Sequence, residues 1–84
     1  MLIRLNVPYK WHKVLDIIDS EDLGPAVANR LIRRGNATKL EDVVTERGGG
    51  WYDVEVHYRD GSASTEKVHG LEAAVRLLRE AAGQ

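Results

Sequence analysis

Eighty-four residues make room for one domain, and 43% hydrophobic with 30% charged residues is the balance of a folded chain, not a disordered one. A formal net charge of −1 gives no global pull toward nucleic acid or anionic membranes, and zero cysteines exclude a disulfide framework, a thiolate metal site and a thiol nucleophile. No apolar run approaches the roughly 18 residues of a membrane span. Met1-Leu2-Ile3 reads as the start of a strand and not of a signal peptide, so the cytoplasm is the expected location.

Taken in order, residues 2–7 alternate, with Ile3, Leu5 and Val7 opposite Leu2, Arg4 and Asn6, and Pro8 ends the strand because it cannot donate to a ladder. Tyr9-Lys10-Trp11-His12-Lys13 follows as a loop in which aromatic and basic residues interleave. The β-branched run at 14–18 predicts a second strand, stopped by Asp19-Ser20. A helix over 23–34, capped from Ser20 or Asp22 and holding Pro25 in its first turn, buries Leu23, Val27, Ala28, Leu31 and Ile32. Arg33 and Arg34 suit its C-terminal dipole, and Gly35 can take the left-handed capping turn. Residues 37–46 read as short extended structure anchored by Val43 and Val44, and Gly48-Gly49-Gly50 as a flexible, hinge-like turn.

The clearest pattern comes next. Residues 51–59 alternate strictly, Tyr52, Val54, Val56 and Tyr58 facing one way and Asp53, Glu55, His57 and Arg59 the other. Asp60-Gly61 then signals a hairpin leading into a strand over 62–68. A two-residue loop would set Glu55 against Glu66; a three-residue Arg59-Asp60-Gly61 loop sets Asp53 against Lys67 and Val68 beside Tyr52. Like charges directly opposite destabilise, so the longer loop is expected, with Glu66 beside Val54 and the second strand at a sheet edge. A helix over 70–82 buries Leu71, Ala74, Val75, Leu78 and Ala82.

No residue set carries catalysis. His12, His57 and His69 lie at no metal-ligand spacing, Ser20, Ser62 and Ser64 read as cap and turn residues, and the glycine run lacks the Lys-Ser/Thr and helix of a phosphate loop. Two surface features remain. Tyr9, Lys10, Trp11, His12 and Lys13 concentrate the residue types of interface hot spots; Trp11 is either a contact residue or a plug folded back onto the core. Arg30, Arg33 and Arg34, with Lys39, form a basic edge whose simpler reading is a solvated helix end.

The strand ending in Val7-Pro8, a second strand, and the helix Ala28-Asn29-Arg30-Leu31-Ile32-Arg33-Arg34-Gly35-Asn36-Ala37 resemble small proteins of bacteriophage head and tail morphogenesis modules. In those, an alanine–leucine–isoleucine helix ends in glycine, a small residue and a short strand. The likeness covers residues 1–46 and implies a virion accessory or connector-associated protein without enzymatic activity, in the host cytoplasm or the particle. Residues 50–81 are similar to the arm-type DNA-binding domains of tyrosine recombinases through Trp51, Val54-Glu55-Val56, Tyr58-Arg59-Asp60-Gly61, Leu71-Glu72-Ala73-Ala74 and Leu77-Leu78-Arg79-Glu80. That likeness implies a three-stranded sheet with a helix behind it. The groove-facing strands of that family are rich in Lys and Arg; the matching positions here are Asp53, Glu55, His57 and Arg59, which would set two carboxylates against phosphates. The likeness is therefore taken for fold and not for function.

The expected architecture is one α+β domain over residues 1–84, a small antiparallel or mixed sheet of four to five short strands with two helices packed on one face. The expected role is a non-enzymatic protein–protein interaction module, phage-encoded as a virion accessory or host-interaction protein, that self-associates or docks on a protein partner through a sheet edge or Trp11. Neither cofactor, metal nor membrane enters that reading. The alternative is a nucleic-acid-binding protein or regulator using the 9–13 loop and the Arg30, Arg33 and Arg34 edge.

Overall fold

A computed structural model describes residues 1–83; Gln84, the last residue of the expected domain, lies outside the described residues. The class is α+β as expected, with every strand pairing antiparallel, but the described strands form two three-stranded sheets in place of one.

In the first sheet β1 (Leu2–Leu5) lies between β2 (Ile17–Asp19) and β3 (Ala37–Lys39). β1 ends two residues before the expected boundary at Val7. Past it the Leu5 carbonyl accepts the Leu15 N–H at 2.8 Å, and the Asn6 N–H turns away to the Asn36 carbonyl at 2.9 Å. β2 begins late, because Val14 to Asp16 form a turn: the Lys13 N–H donates to the Asp16 carboxylate at 2.8 Å and Leu15 sits buried at φ +74°. The expected single helix over 23–34 is two, α1 (Ser20–Leu23) and α2 (Pro25–Arg33), broken at Gly24. A proline excludes helical backbone from the residue before it, and only glycine settles easily at the φ 88°, ψ 141° found there. Asp19, neither Ser20 nor Asp22, caps α1 by accepting the Glu21 N–H at 3.0 Å.

The 37–46 segment is where one sheet becomes two. A 3-10 turn, Leu40–Asp42, interrupts it, so β3 joins β1 while β4 (Val44–Gly48) starts the second sheet. There β5 (Trp51–His57) is central, between β4 and β6 (Ala63–His69). The triglycine is a hairpin corner and not a loose hinge: Gly48 pairs with Trp51, and Gly49 and Gly50 both hold positive φ, the geometry that matches strand twist. The β5–β6 register is the one charge pairing favours, Asp53 opposite Lys67 and Tyr52 opposite Val68, around Arg59-Asp60-Gly61. Glu66 lies beside Val54 and stays exposed because β6 is an edge.

The last helix, α3 (Leu71–Ala82), buries Ala74, Leu78, Ala81 and Ala82. Leu71, expected in that stripe, is 52% exposed, and Ala81 takes its place. The helices do not share one sheet face. Ala28 and Leu31 of α2 pack with Ile3, Leu5 and Ala37 on one side of the first sheet. Ala74, Leu78 and Ala81 of α3 pack on Val54 and Val56 of the second, and Ile17 of β2 joins that cluster from the other side of the first. β1 permits this because it is apolar on both faces, Ile3 and Leu5 toward α2 and Leu2 toward α3. Arg4 shares the Leu2 face and is also buried. Its Nε and Nη2 donate to Asn6 Oδ1 at 3.4 and 3.3 Å, and Nη1 has no partner.

Candidate partner-binding site

Beyond Pro8 the chain doubles back within four residues. The Tyr9 N–H donates to the His12 carbonyl at 3.1 Å and the His12 N–H to the Tyr9 carbonyl at 2.9 Å, making Lys10 and Trp11 the two corners of a tight turn. Lys10 occupies its corner at φ +53°, a region that normally goes to glycine. Tyr9 is the anchor, half-buried against the Ile3 and Leu5 cluster, with the Lys10 ammonium 5.6 Å from its ring centre. Trp11, at the tip, is 80% exposed, and its indole lies 5.5 Å from the half-buried His12 ring. The ring is outside the core.

Lys13 continues from this tip into a shallow groove of about 460 Å³ that runs between β2 and the C-terminal end of α3. Trp11, Lys13, Arg59 and Arg79 line it, together with Ile17, Ile18 and Ala82. Arg59 reaches from the β5–β6 turn to donate through Nε to the Ala82 carbonyl at 2.5 Å, tying the hairpin to the last turn of α3. Neither Arg59 nor Arg79 stands out in the sequence as a companion of Trp11. The packing of α3 against β2 brings them together, and no local pattern reports a contact of that range.

The basic edge is only partly one surface. Arg30, Arg33 and Arg34 are exposed and together line a depression of about 340 Å³. None of the three has a carboxylate within 4.0 Å among the described residues. Lys39 is elsewhere, half-buried in β3 and lining an apolar groove of about 420 Å³ with Met1, Leu2, Val44, Tyr52 and Leu71.

The outer face of the second sheet carries Trp51, 45% exposed and edge-on to His69 at 4.9 Å. Asp53 there is paired with Arg47 at 2.6 Å, and Glu55 lies 2.9 Å from His57 Nε2. Among the described residues no three His, Cys, Asp or Glu side chains gather where they could hold a metal ion, and no helix is long and apolar enough to cross a membrane. Two carboxyls are held below the usual range: Asp19 chiefly by the Glu21 N–H it caps, and Asp60 chiefly by the Ser62 hydroxyl.

No family model, curated protein or solved structure matches this chain.

Proposed function

We propose that this protein is a non-enzymatic protein–protein interaction module whose contact centre is the Trp11 turn. One observation carries the reading: an indole 80% exposed at the tip of a turn that holds a non-glycine residue at positive φ. Left-handed backbone at such a residue costs on the order of 1–3 kcal/mol and persists where the surroundings over-determine it, with functional sites prominent among such places. A large ring left in water at that expense is the residue type that anchors interfaces. The likeness of residues 1–46 to phage head and tail module proteins supports a virion accessory or host-interaction protein, acting in the host cytoplasm or the particle.

The test is Trp11→Ala. Thermal stability should stay within about 0.5 kcal/mol of the parent, as for ordinary surface substitutions. Recovery of the partner by a photo-crosslinker placed at Lys10 should be lost, with an affinity drop of about 30-fold for a hot-spot residue of about 2 kcal/mol. A variant that melts out while its folded fraction crosslinks normally would make the loop structural.

A second reading is favoured by Arg30, Arg33 and Arg34, exposed together without carboxylate partners among the described residues. It is nucleic-acid binding. Association through that edge would weaken steeply with salt and be lost with Arg30→Ala and Arg33→Ala, which would leave a Trp11-centred protein contact intact.

A further inference from the structure

We infer that the groove beside Trp11 takes a peptide segment of the partner in which carboxylates flank an apolar side chain. This rests on Trp11 being a contact residue, and adds the chemistry of what it meets.

The charge balance of the groove is one-sided. Among the described residues Lys13, Arg59 and Arg79 line it, against the single carboxylate of Asp16. Asp16 is already engaged, Oδ2 accepting the Lys13 backbone N–H at 2.8 Å. The carboxylate ion pairs of the described residues lie elsewhere, on Met1 with Asp19, Arg47 with Asp53 and His57 with Glu55. Among the described residues, all three cations of the groove are thus without a carboxylate within 4.0 Å, and all three are exposed to solvent. A helix C-terminus would ordinarily repel an anion, but the Arg59 Nε–H is bonded to the Ala82 carbonyl and blunts that field. Ile17, Ile18 and Ala82 add apolar surface to the lining, which suits a hydrocarbon side chain and which a bare phosphate would leave uncovered.

The backbone offers a direction as well. β2 pairs with β1 alone, with Ile18 opposite Ile3. Asp16 and Ser20 also bond toward β1, through the Leu5 N–H to the Asp16 carbonyl and the Ser20 N–H to the Met1 carbonyl. By antiparallel alternation the N–H and C=O of Ile17, which lines the groove, point to the other side, where an extended peptide can bond them, while the Asp19 carbonyl is taken up as the N-cap of α1. Single-stranded nucleic acid would instead call for successive aromatic platforms along a cationic track. The groove has one, Trp11.

The experiment measures polarisation of short dye-labelled probes titrated with the full chain. One probe pool carries Asp and Glu around Leu and Val, a second carries Asn and Gln in their place, a third carries Lys, and a fourth is oligothymidylate. The acidic pool should bind and the amide and Lys pools should not. Lys13→Glu with Arg79→Glu should weaken the acidic pool at least about tenfold, as expected for reversing charges at a complementary rim, and admit the Lys pool. Lys13→Gln with Arg79→Gln, which introduces no repulsion, should weaken the acidic pool with an unchanged melting temperature. Equal binding of acidic and amide pools, tighter binding of oligothymidylate, or indifference to all four substitutions would overturn the inference. If no peptide pool binds while Trp11→Ala still loses the crosslinked partner, the carboxylate inference falls and the Trp11 reading stands. If Trp11→Ala keeps both the partner and the acidic pool, the Trp11 reading itself falls.

Discussion

Lys10 and Arg4 are two residues whose surroundings fit them poorly, and each gives a prediction. Lys10 sits at φ +53° on the corner before Trp11. Lys10→Gly should stabilise the chain by about 1 kcal/mol, because glycine populates that region without a Cβ clash. Scanning calorimetry checks this. A fall in melting temperature would mean that the contact of the ammonium with the Tyr9 ring outweighs the strain. Arg4 is 8% exposed, with Nη1 unpartnered, and burial lowers its pKa while the Glu55 carboxylate acts in the opposite sense. An arginine stays charged regardless, so the misfit appears as lost stability. Arg4→Met keeps the volume and should raise stability by about 1 kcal/mol, a shift of several degrees for a chain of this size. A lower melting temperature in the variant would show that the bonds to Asn6 more than offset the orphaned donor. At this scale the sequence is half legible. Trp11 stands out because a tryptophan among Lys10, His12 and Lys13 is hard to bury, whereas Arg4 looks like an ordinary outward position on an alternating strand. Nothing in residues 2–7 announces that both faces of that strand are covered.

Among the elements, the β5–β6 hairpin is the most legible, because two candidate registers place different charges opposite one another and only one sets Asp53 against Lys67. The break between α1 and α2 has a signal too, Gly24 before Pro25, which outweighs the apolar periodicity running through it. The 3-10 turn at Leu40–Asp42 has none, since Leu40 and Val43 suit a strand as well as a corner. The hairpin turn also predicts a pH response. Asp60 accepts the Ser62 hydroxyl at 2.6 Å and the Ser62 N–H at 2.8 Å, bonds that favour the ionised carboxylate and depress its pKa. A depressed carboxyl contributes stability that is present above its unfolded pKa, about 3.9, and disappears as pH falls through the lower folded value. The turn should therefore hold at neutral pH and loosen only in strong acid. Carboxyl-carbon titration by NMR should place Asp60 below an ordinary aspartate; a midpoint at or above about 3.9 would mean that the turn gives the carboxylate no help.

Across the whole molecule, α3 joins two sheets that are otherwise built separately. Ile17 crosses from β2 into the cluster of Val54, Val56, Ala74 and Leu78, so the halves share one apolar core at that point. Ile17→Ala should cost about 2–4 kcal/mol, a large share of what so short a chain has. In native-state hydrogen exchange its effect should reach the Val54 and Val56 amides as well as those of Ile3 and Leu5. Loss of protection confined to the first sheet would make the halves independent units. Alternation and turn residues give four to five strands where six form, because the Leu40–Asp42 turn splits residues 37–46 into β3 and β4, and the division between two sheets is not legible either. It depends on where Val44 pairs, and pairing with Val54 rather than with β1 is a long-range choice that residues 37–46 do not encode locally.

The two indoles have an optical consequence. Trp11 and Trp51 are both in contact with water in the folded chain. Their native emission will therefore lie near that of the unfolded protein, and unfolding will change its colour little. A ligand that covers Trp11 will shift it to the blue. In this molecule intrinsic fluorescence is a poor thermometer of folding and a direct gauge of contact at the Trp11 turn, with Trp51→Phe removing the second emitter.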